Sequence, residues 1–93
     1  MIRSFKCRET QKIFNHEISL RLPREIQERA LQKLYWIDSA KDTRDLQIPP
    51  SNHLKSLKGE RKTQYSIRIN DQWRICFKWL EGNAYNVEIT DYH

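Results

Sequence analysis

Cysteine is scarce in this chain. Cys7 and Cys76 lie far apart, and neither belongs to a Cys-x-x-Cys pair or a Cys/His ligand series. A disulfide framework is thereby excluded, and the two residues read as free thiols in a reducing compartment. Long apolar runs are missing as well. The first twenty residues, MIRSFKCRETQKIFNHEISL, hold none long enough for a signal peptide. No segment approaches the roughly 20 apolar residues of a membrane span, so the expected location is the cytoplasm, without membrane contact. Carboxylates are outnumbered, 12 Asp and Glu against 17 Lys and Arg, and outside the longest helix no two of them form an obvious ligand pair. That speaks against metal-dependent hydrolysis. No serine or cysteine stands in a setting that would activate it as a nucleophile. A chain of 93 residues also leaves no room for a deep, self-contained cofactor pocket; no cofactor and no metal site are expected.

What is present is a small basic domain. Apolar residues make up 38% of the chain and aromatics 11%, enough to pack a core, and the net charge is +5. Ile2 to Lys6 reads as a short strand and Arg8 to His16 as a helical turn or two that buries Ile13 and Phe14. Leu22 to Ser39 is the longest helix: Pro23 suits its first turn, and Ile26, Ala30, Leu31, Leu34 and Ile37 recur at helical spacing. Arg24, Glu25, Glu28, Arg29, Gln32 and Lys33 are expected on its solvated side, with Glu25/Arg29-type pairs. Ala40 to Asn52 turns polar and contains Pro49-Pro50, hence an irregular connection.

Beyond it the period changes to two. Strands are predicted at His53 to Leu57, Tyr65 to Asn70, Trp73 to Leu80 and Ala84 to Asp91, with turns at Asn70-Asp71-Gln72 and Glu81-Gly82-Asn83. Ile67, Ile69, Trp73, Ile75, Phe77, Trp79, Tyr85, Val87 and Ile89 share one parity. Ser66, Arg68, Arg74, Cys76, Lys78, Asn86, Glu88 and Thr90 share the other. The predicted architecture is one α+β domain over residues 1–93 in two layers, with N-terminal helices packed on one face of an antiparallel β-sheet and the other face open to solvent. Trp36, Trp73 and Trp79 belong to the core by the same periodicity, and His16 is structural.

Seven basic residues, Lys55, Lys58, Arg61, Lys62, Arg68, Arg74 and Lys78, face two acidic ones between His53 and Lys78, a local balance of +5. A shallow basic surface suits an extended single strand of nucleic acid, its phosphates on Arg and Lys and its bases on aromatics, for which Tyr65 and Tyr92 are candidates. The chain ends Glu-Ile-Thr-Asp-Tyr-His. His93 has the one side chain of that set able to move a proton in either direction near neutrality. In RNA cleavage a base takes the 2′-hydroxyl proton, cations hold the charge on the phosphorane, and an acid protonates the leaving 5′-oxygen.

The runs HLKSLKGERKTQYSIRINDQWRICFKW, EITDYH and MIRSFK resemble the HigB branch of the RelE-type bacterial toxins, from Met1 to His93. The resemblance implies a RelE-like fold and a ribosome-dependent endoribonuclease that cuts messenger RNA in the A site of the 70S ribosome without a metal. It also implies a HigA-like antitoxin carrying a helix-turn-helix, through which operator DNA is contacted only indirectly. By position it makes Arg74 the phosphate clamp, Lys58 a supporting cation and His93 the proton-transfer group, with Asp91 and Tyr92 orienting it or stacking on a base. Some relatives carry a histidine three residues before the Leu-Lys-Gly lysine, where this chain has Lys55; weaker acid/base assistance and a milder nuclease are expected. His53, two residues earlier on the same side of an extended strand, either stands in for that imidazole or is a surface residue. Arg61 and Lys62 are expected on ribosomal RNA backbone, with Arg68 and Lys78 as further phosphate contacts.

Two rival classes remain open: a non-catalytic RNA- or ribosome-binding domain, which arrests growth by occupancy alone, and a protein-interaction module, which does not associate with ribosomes. For the nuclease, His93→Ala or Arg74→Ala is expected to abolish message cleavage with the fold intact.

Overall fold

The computed structural model describes residues 1–57 and 63–91. Helix α1 spans Arg8–Phe14 and α2 spans Arg24–Ser39; 3-10 turns at Thr43–Gln47 and Pro50–Asn52 lead to β1 (Lys55–Ser56), followed by β2 (Gln64–Arg68), β3 (Trp73–Leu80) and β4 (Asn83–Asp91). Pro23 sits one place earlier than expected, in the cap position, because its ψ of 133° is extended. Ile26, Ala30, Leu34 and Ile37 of α2 are buried, as their spacing requires. Lys33 is buried with them, at 5% exposure. The expectation that it belongs to the solvated side is thus corrected: position 33 is three residues from Ala30 and four from Ile37, on the flank of the apolar stripe. No Glu25–Arg29 ion pair forms among the described residues; Arg29 Nη1 donates instead to the Ile69 carbonyl at 3.3 Å.

The sheet is antiparallel with strands in the order β1-β2-β3-β4. The N-terminal segment is no full strand: Ile2 and Phe5 make isolated parallel bridges to Ala84 and Val87 of β4 and cover its edge. Both helices lie on one face, where Ile13, Ile26, Ala30, Leu34 and Ile37 meet Ile67, Ile69, Ile75, Phe77, Val87 and Ile89. Each fully buried Ile, Leu or Phe among them contributes roughly 1.5–3 kcal/mol by leaving water. Trp36, Trp73 and Trp79 pack against this core while half-buried. At α1 the Thr10 hydroxyl accepts from the Ile89 amide at 2.9 Å, joining helix to β4 inside the core.

Two expectations about the sheet's faces are corrected. Residues 76 and 88 pair, but the next pair is Lys78 with Tyr85, a register shift of one residue. Asn86, at φ 54°, absorbs the extra residue of this bulge. Tyr85 is consequently turned to the side of Lys78, and Ala84, wholly buried, takes its place in the core. Nor is the far face simply open. Ser66 and Arg74 on it are buried, at 2% and 6% exposure, and the turn at His53 brings its carbonyl onto the Arg74 guanidinium.

Candidate active site

Asn52 begins the construction of the site. Wholly buried, it donates through Nδ2 to the Leu46 carbonyl at 3.1 Å and accepts from the Lys33 ammonium, fastening the connection to α2. The next residue, His53, is left-handed (φ 45°, ψ 56°), a conformation histidine adopts more readily than most residues. That turn aims the His53 carbonyl at the sheet, where it accepts from Arg74 Nη2 at 2.5 Å. Arg74 Nε donates to Ser66 Oγ at 2.9 Å, and Nη2 also reaches the Ser66 carbonyl at 3.3 Å. Among the described residues the guanidinium is held by three oxygens on two segments, which fixes its orientation.

Around it lies a depression of about 260 Å³ lined by His53, Lys55, Arg68, Asn70, Asp71 and Arg74. Cross-strand pairing sets Arg68 directly opposite Arg74, so two guanidiniums share one patch of sheet, with the Lys55 ammonium on the adjoining strand. Arg68 pairs with Asp71, whose carboxylate is 95% exposed. Such an exposed pair is worth at most about 1 kcal/mol and yields readily to a better anion. Asn70 Oδ1 accepts from the Gln72 and Trp73 amides and shapes the turn that carries Asp71.

Of the residues expected to act together, Arg74, Arg68, Lys55 and His53 are brought together. His53 reaches the depression from the left-handed turn before β1, not from the same side of an extended strand. Lys78 lines a separate depression with Lys6, Gln64, Asn86 and Glu88. Tyr65 falls on the helix side of the sheet and stacks on Phe77, ring centroids 6.2 Å apart, which removes it from the basic face. Asp91 pairs with Trp73, whereas Arg74 pairs with Thr90, so Asp91 has the opposite parity from Arg74. Its Oδ2 accepts from Gln72 Nε2 at 3.0 Å. Lys58, Arg61, Lys62, Tyr92 and His93 lie outside the described residues.

Sequence reasoning missed Ser66, the acceptor that fixes Arg74, and the aromatic that the bulge turns outward, Tyr85. It also missed Lys33, although the apolar stripe passes through position 33. The ammonium of Lys33 is held below its ordinary value of 10.5, first by burial and then by the charges of Arg29, Arg68 and Arg74. Among the described residues no three His, Cys, Asp or Glu side chains gather as a metal site, and no helix is long and apolar enough to cross a membrane. Neither Cys7 nor Cys76 is in a disulfide, and both are half-buried.

Two helices packed on one face of a four-stranded antiparallel sheet define a small α+β domain of RelE-like architecture. A family model described as the RelE-like toxin of type II toxin-antitoxin system HigB matches residues 3–93. Toxin HigB-1 of Vibrio cholerae serotype O1 is 36% identical over 87 residues, covering 92% of each chain. Endoribonuclease HigB of Proteus vulgaris is 32% identical over 93 residues, the full length of both. An uncharacterized protein of Haemophilus influenzae is 34% identical over 73 residues, 78% of this chain and 71% of its own. The chain belongs to the HigB-like toxin family of type II toxin-antitoxin systems, which gives it an antitoxin as partner.

Proposed function

We propose that the chain is a ribosome-dependent endoribonuclease that cuts messenger RNA in the A site and is neutralised by a HigA-like antitoxin. One observation carries the reading: in a chain of this family, Lys55, Arg68 and Arg74 line a single depression of the size of a phosphodiester with its riboses. The name of the Proteus vulgaris relative, an endoribonuclease, supports it.

The chemistry needs three services. A base removes the 2′-hydroxyl proton, and the 2′-oxygen attacks phosphorus. Cations hold the charge that grows on the non-bridging oxygens. An acid delivers a proton to the departing 5′-oxygen, leaving a 2′,3′-cyclic phosphate on one fragment and a 5′-hydroxyl on the other. Arg68 and Arg74 supply fixed positive charge, Arg74 being the better anchored. A preorganised donor of this kind is worth roughly 10²–10³ in rate. Lys55 and Lys58 add charge, and His93 is the proton-transfer group, with Tyr92 beside it. Asp91, held by Gln72, does not stand on the Arg74 face. Arg61, Lys62 and Lys78 contact ribosomal RNA backbone, a role that weakens with salt. The ribosome places the reaction in the cytoplasm.

Primer extension on a reporter message after brief expression tests the reading. Wild type should produce new 5′ ends within translated codons, and His93→Ala should produce none while melting at the wild-type temperature. Growth arrest by His93→Ala equal to wild type, with the message intact in both, would show a domain that acts by occupancy instead.

A further inference from the structure

Next to the Arg74 depression, on the helix side of the β2–β3 turn, lies a second and larger hollow of about 540 Å³. Arg29, Gln32, Lys33 and Trp36 of α2 form one wall, and Arg68, Asn70 and Asp71 form the other. The last three line the Arg74 depression as well, so the two hollows adjoin across one turn. Among the described residues no ion pair neutralises the cations of the α2 wall. Lys33 is buried, its ammonium lies 5.4 Å from the centre of the Trp36 ring, and its hydrogen-bond partner is the neutral amide oxygen of Asn52. Among the described residues no carboxylate pairs with Lys33 or Arg29, and Asp71, the carboxylate of the opposite wall, is already engaged by Arg68.

A buried ammonium without a counterion is costly, and neighbouring guanidiniums raise the cost. An anion in the hollow would offset it, so the hollow carries a standing preference for negative ligands. We propose that this α2 groove binds the phosphate backbone of the RNA strand next to the scissile phosphodiester, with Lys33 and Arg29 as its cations. RNA is favoured over an acidic protein segment because Arg68 belongs to both hollows: a strand whose phosphate rests on Arg74 and Arg68 has its neighbouring phosphate delivered to the α2 wall. The proposal rests on reading the Arg74 depression as the RNA-cleaving site, and it extends the substrate contact from the sheet to the long helix.

The test uses the purified full-length chain without ribosomes and a fluorescein-labelled 2′-O-methyl hexanucleotide, which cannot be cut. Anisotropy titrations at several salt concentrations give both affinity and salt slope. Lys33→Met should weaken binding about tenfold and lower the slope by about 0.7, the amount expected for one lost phosphate contact on a single strand. Gln32→Glu, a change on the exposed rim, should weaken binding comparably by placing a negative charge in the groove, and it serves as the second variant should Lys33→Met fail to fold. Affinity and slope within twofold of wild type in the folded variants would overturn the proposal. So would unchanged oligonucleotide binding together with lost binding of an octaglutamate peptide, which would give the groove to an acidic protein segment. Message cleavage is scored separately. A wild type that binds the hexanucleotide through Lys33 yet cuts no message sinks the nuclease reading and leaves the groove standing; a wild type that cuts while Lys33→Met binds normally sinks the groove alone.

Discussion

Arg74 is both a proposed phosphate ligand and a structural tie, and the two roles predict different consequences of removing it. Its guanidinium gives three hydrogen bonds to Ser66 Oγ, the Ser66 carbonyl and the His53 carbonyl while only 6% exposed. Bonds from a charged donor are worth about 1.5–3 kcal/mol each, but removing the charge also relieves its own burial, so the net cost of Arg74→Ala is about 3 kcal/mol. In a domain of this size that lowers the melting temperature by roughly 12–24 °C. Ser66→Ala removes one acceptor and leaves Arg74 Nε facing a methyl group. The cost is about 1–2 kcal/mol, or roughly 4–16 °C.

Because the two side chains touch, the double variant should cost less than the sum of the singles, by about 1 kcal/mol. Circular dichroism melts of the four proteins supply the cycle, and primer extension on the same four supplies the activity. Loss of cleavage by Arg74→Ala is therefore expected to come with a weakened fold, contrary to what the sequence alone leads one to expect. A melting temperature for Arg74→Ala within 2 °C of wild type, or strictly additive singles, would refute the assignment of Arg74 as the tie between β3 and the His53 turn.

Thr10→Val should cost about 1–3 kcal/mol by stranding the Ile89 amide inside the core, and hydrogen exchange at Ile89 should accelerate accordingly. Ser19, buried within the α1–α2 connection, donates to Glu9 at 2.7 Å and, more than any other group, holds that carboxyl below its ordinary value of 4.5. The stability this bond supplies is complete above 4.5 and is lost as pH falls through the lower folded value, so Ser19→Ala should flatten the acid limb of an equilibrium unfolding profile below 4.5. The pH slope at Lys33 has the same sign in an alkaline window: its folded value lies below 10.5, the unfolded chain binds the extra proton between the two, and stability attributable to this residue should rise with pH across that window. Lys33→Met should abolish that rise in urea titrations. Chelation with EDTA should leave the rate of message cleavage on purified, magnesium-stabilised ribosomes unchanged once free magnesium is restored, whereas a transition-metal requirement would appear as lasting loss.

What the sequence made legible was periodicity, and what it hid were the places where periodicity breaks. The apolar stripe of α2 and the alternation along Ile67, Ile69, Ile75 and Phe77 each express one repeated choice between core and solvent, so pattern alone locates them. Asn86 breaks the count of two. A bulge is signalled by no composition rule, and one left-handed residue was enough to exchange Tyr85 for Ala84 in the core. Lys33 was hidden for another reason: a lysine is read as solvated by its type, whereas its position on the stripe and the buried Asn52 opposite it determine its burial. The same holds for Arg74, which the alternation placed on an open face. The His53 turn that follows Pro50–Asn52, irregular and therefore invisible to any period, brings its carbonyl onto that guanidinium. These hidden residues are the ones that carry charge into the interior. A fold can bury an arginine and a lysine within reach of one turn only if dedicated acceptors hold them, and Ser66, His53 and Asn52 are those acceptors. Packing by itself would have favoured apolar residues at 33 and 74. Keeping two cations there, each locked in orientation beside a surface hollow, is the arrangement a strand of phosphates requires, since charge that is already desolvated and fixed need not be reorganised when the anion arrives.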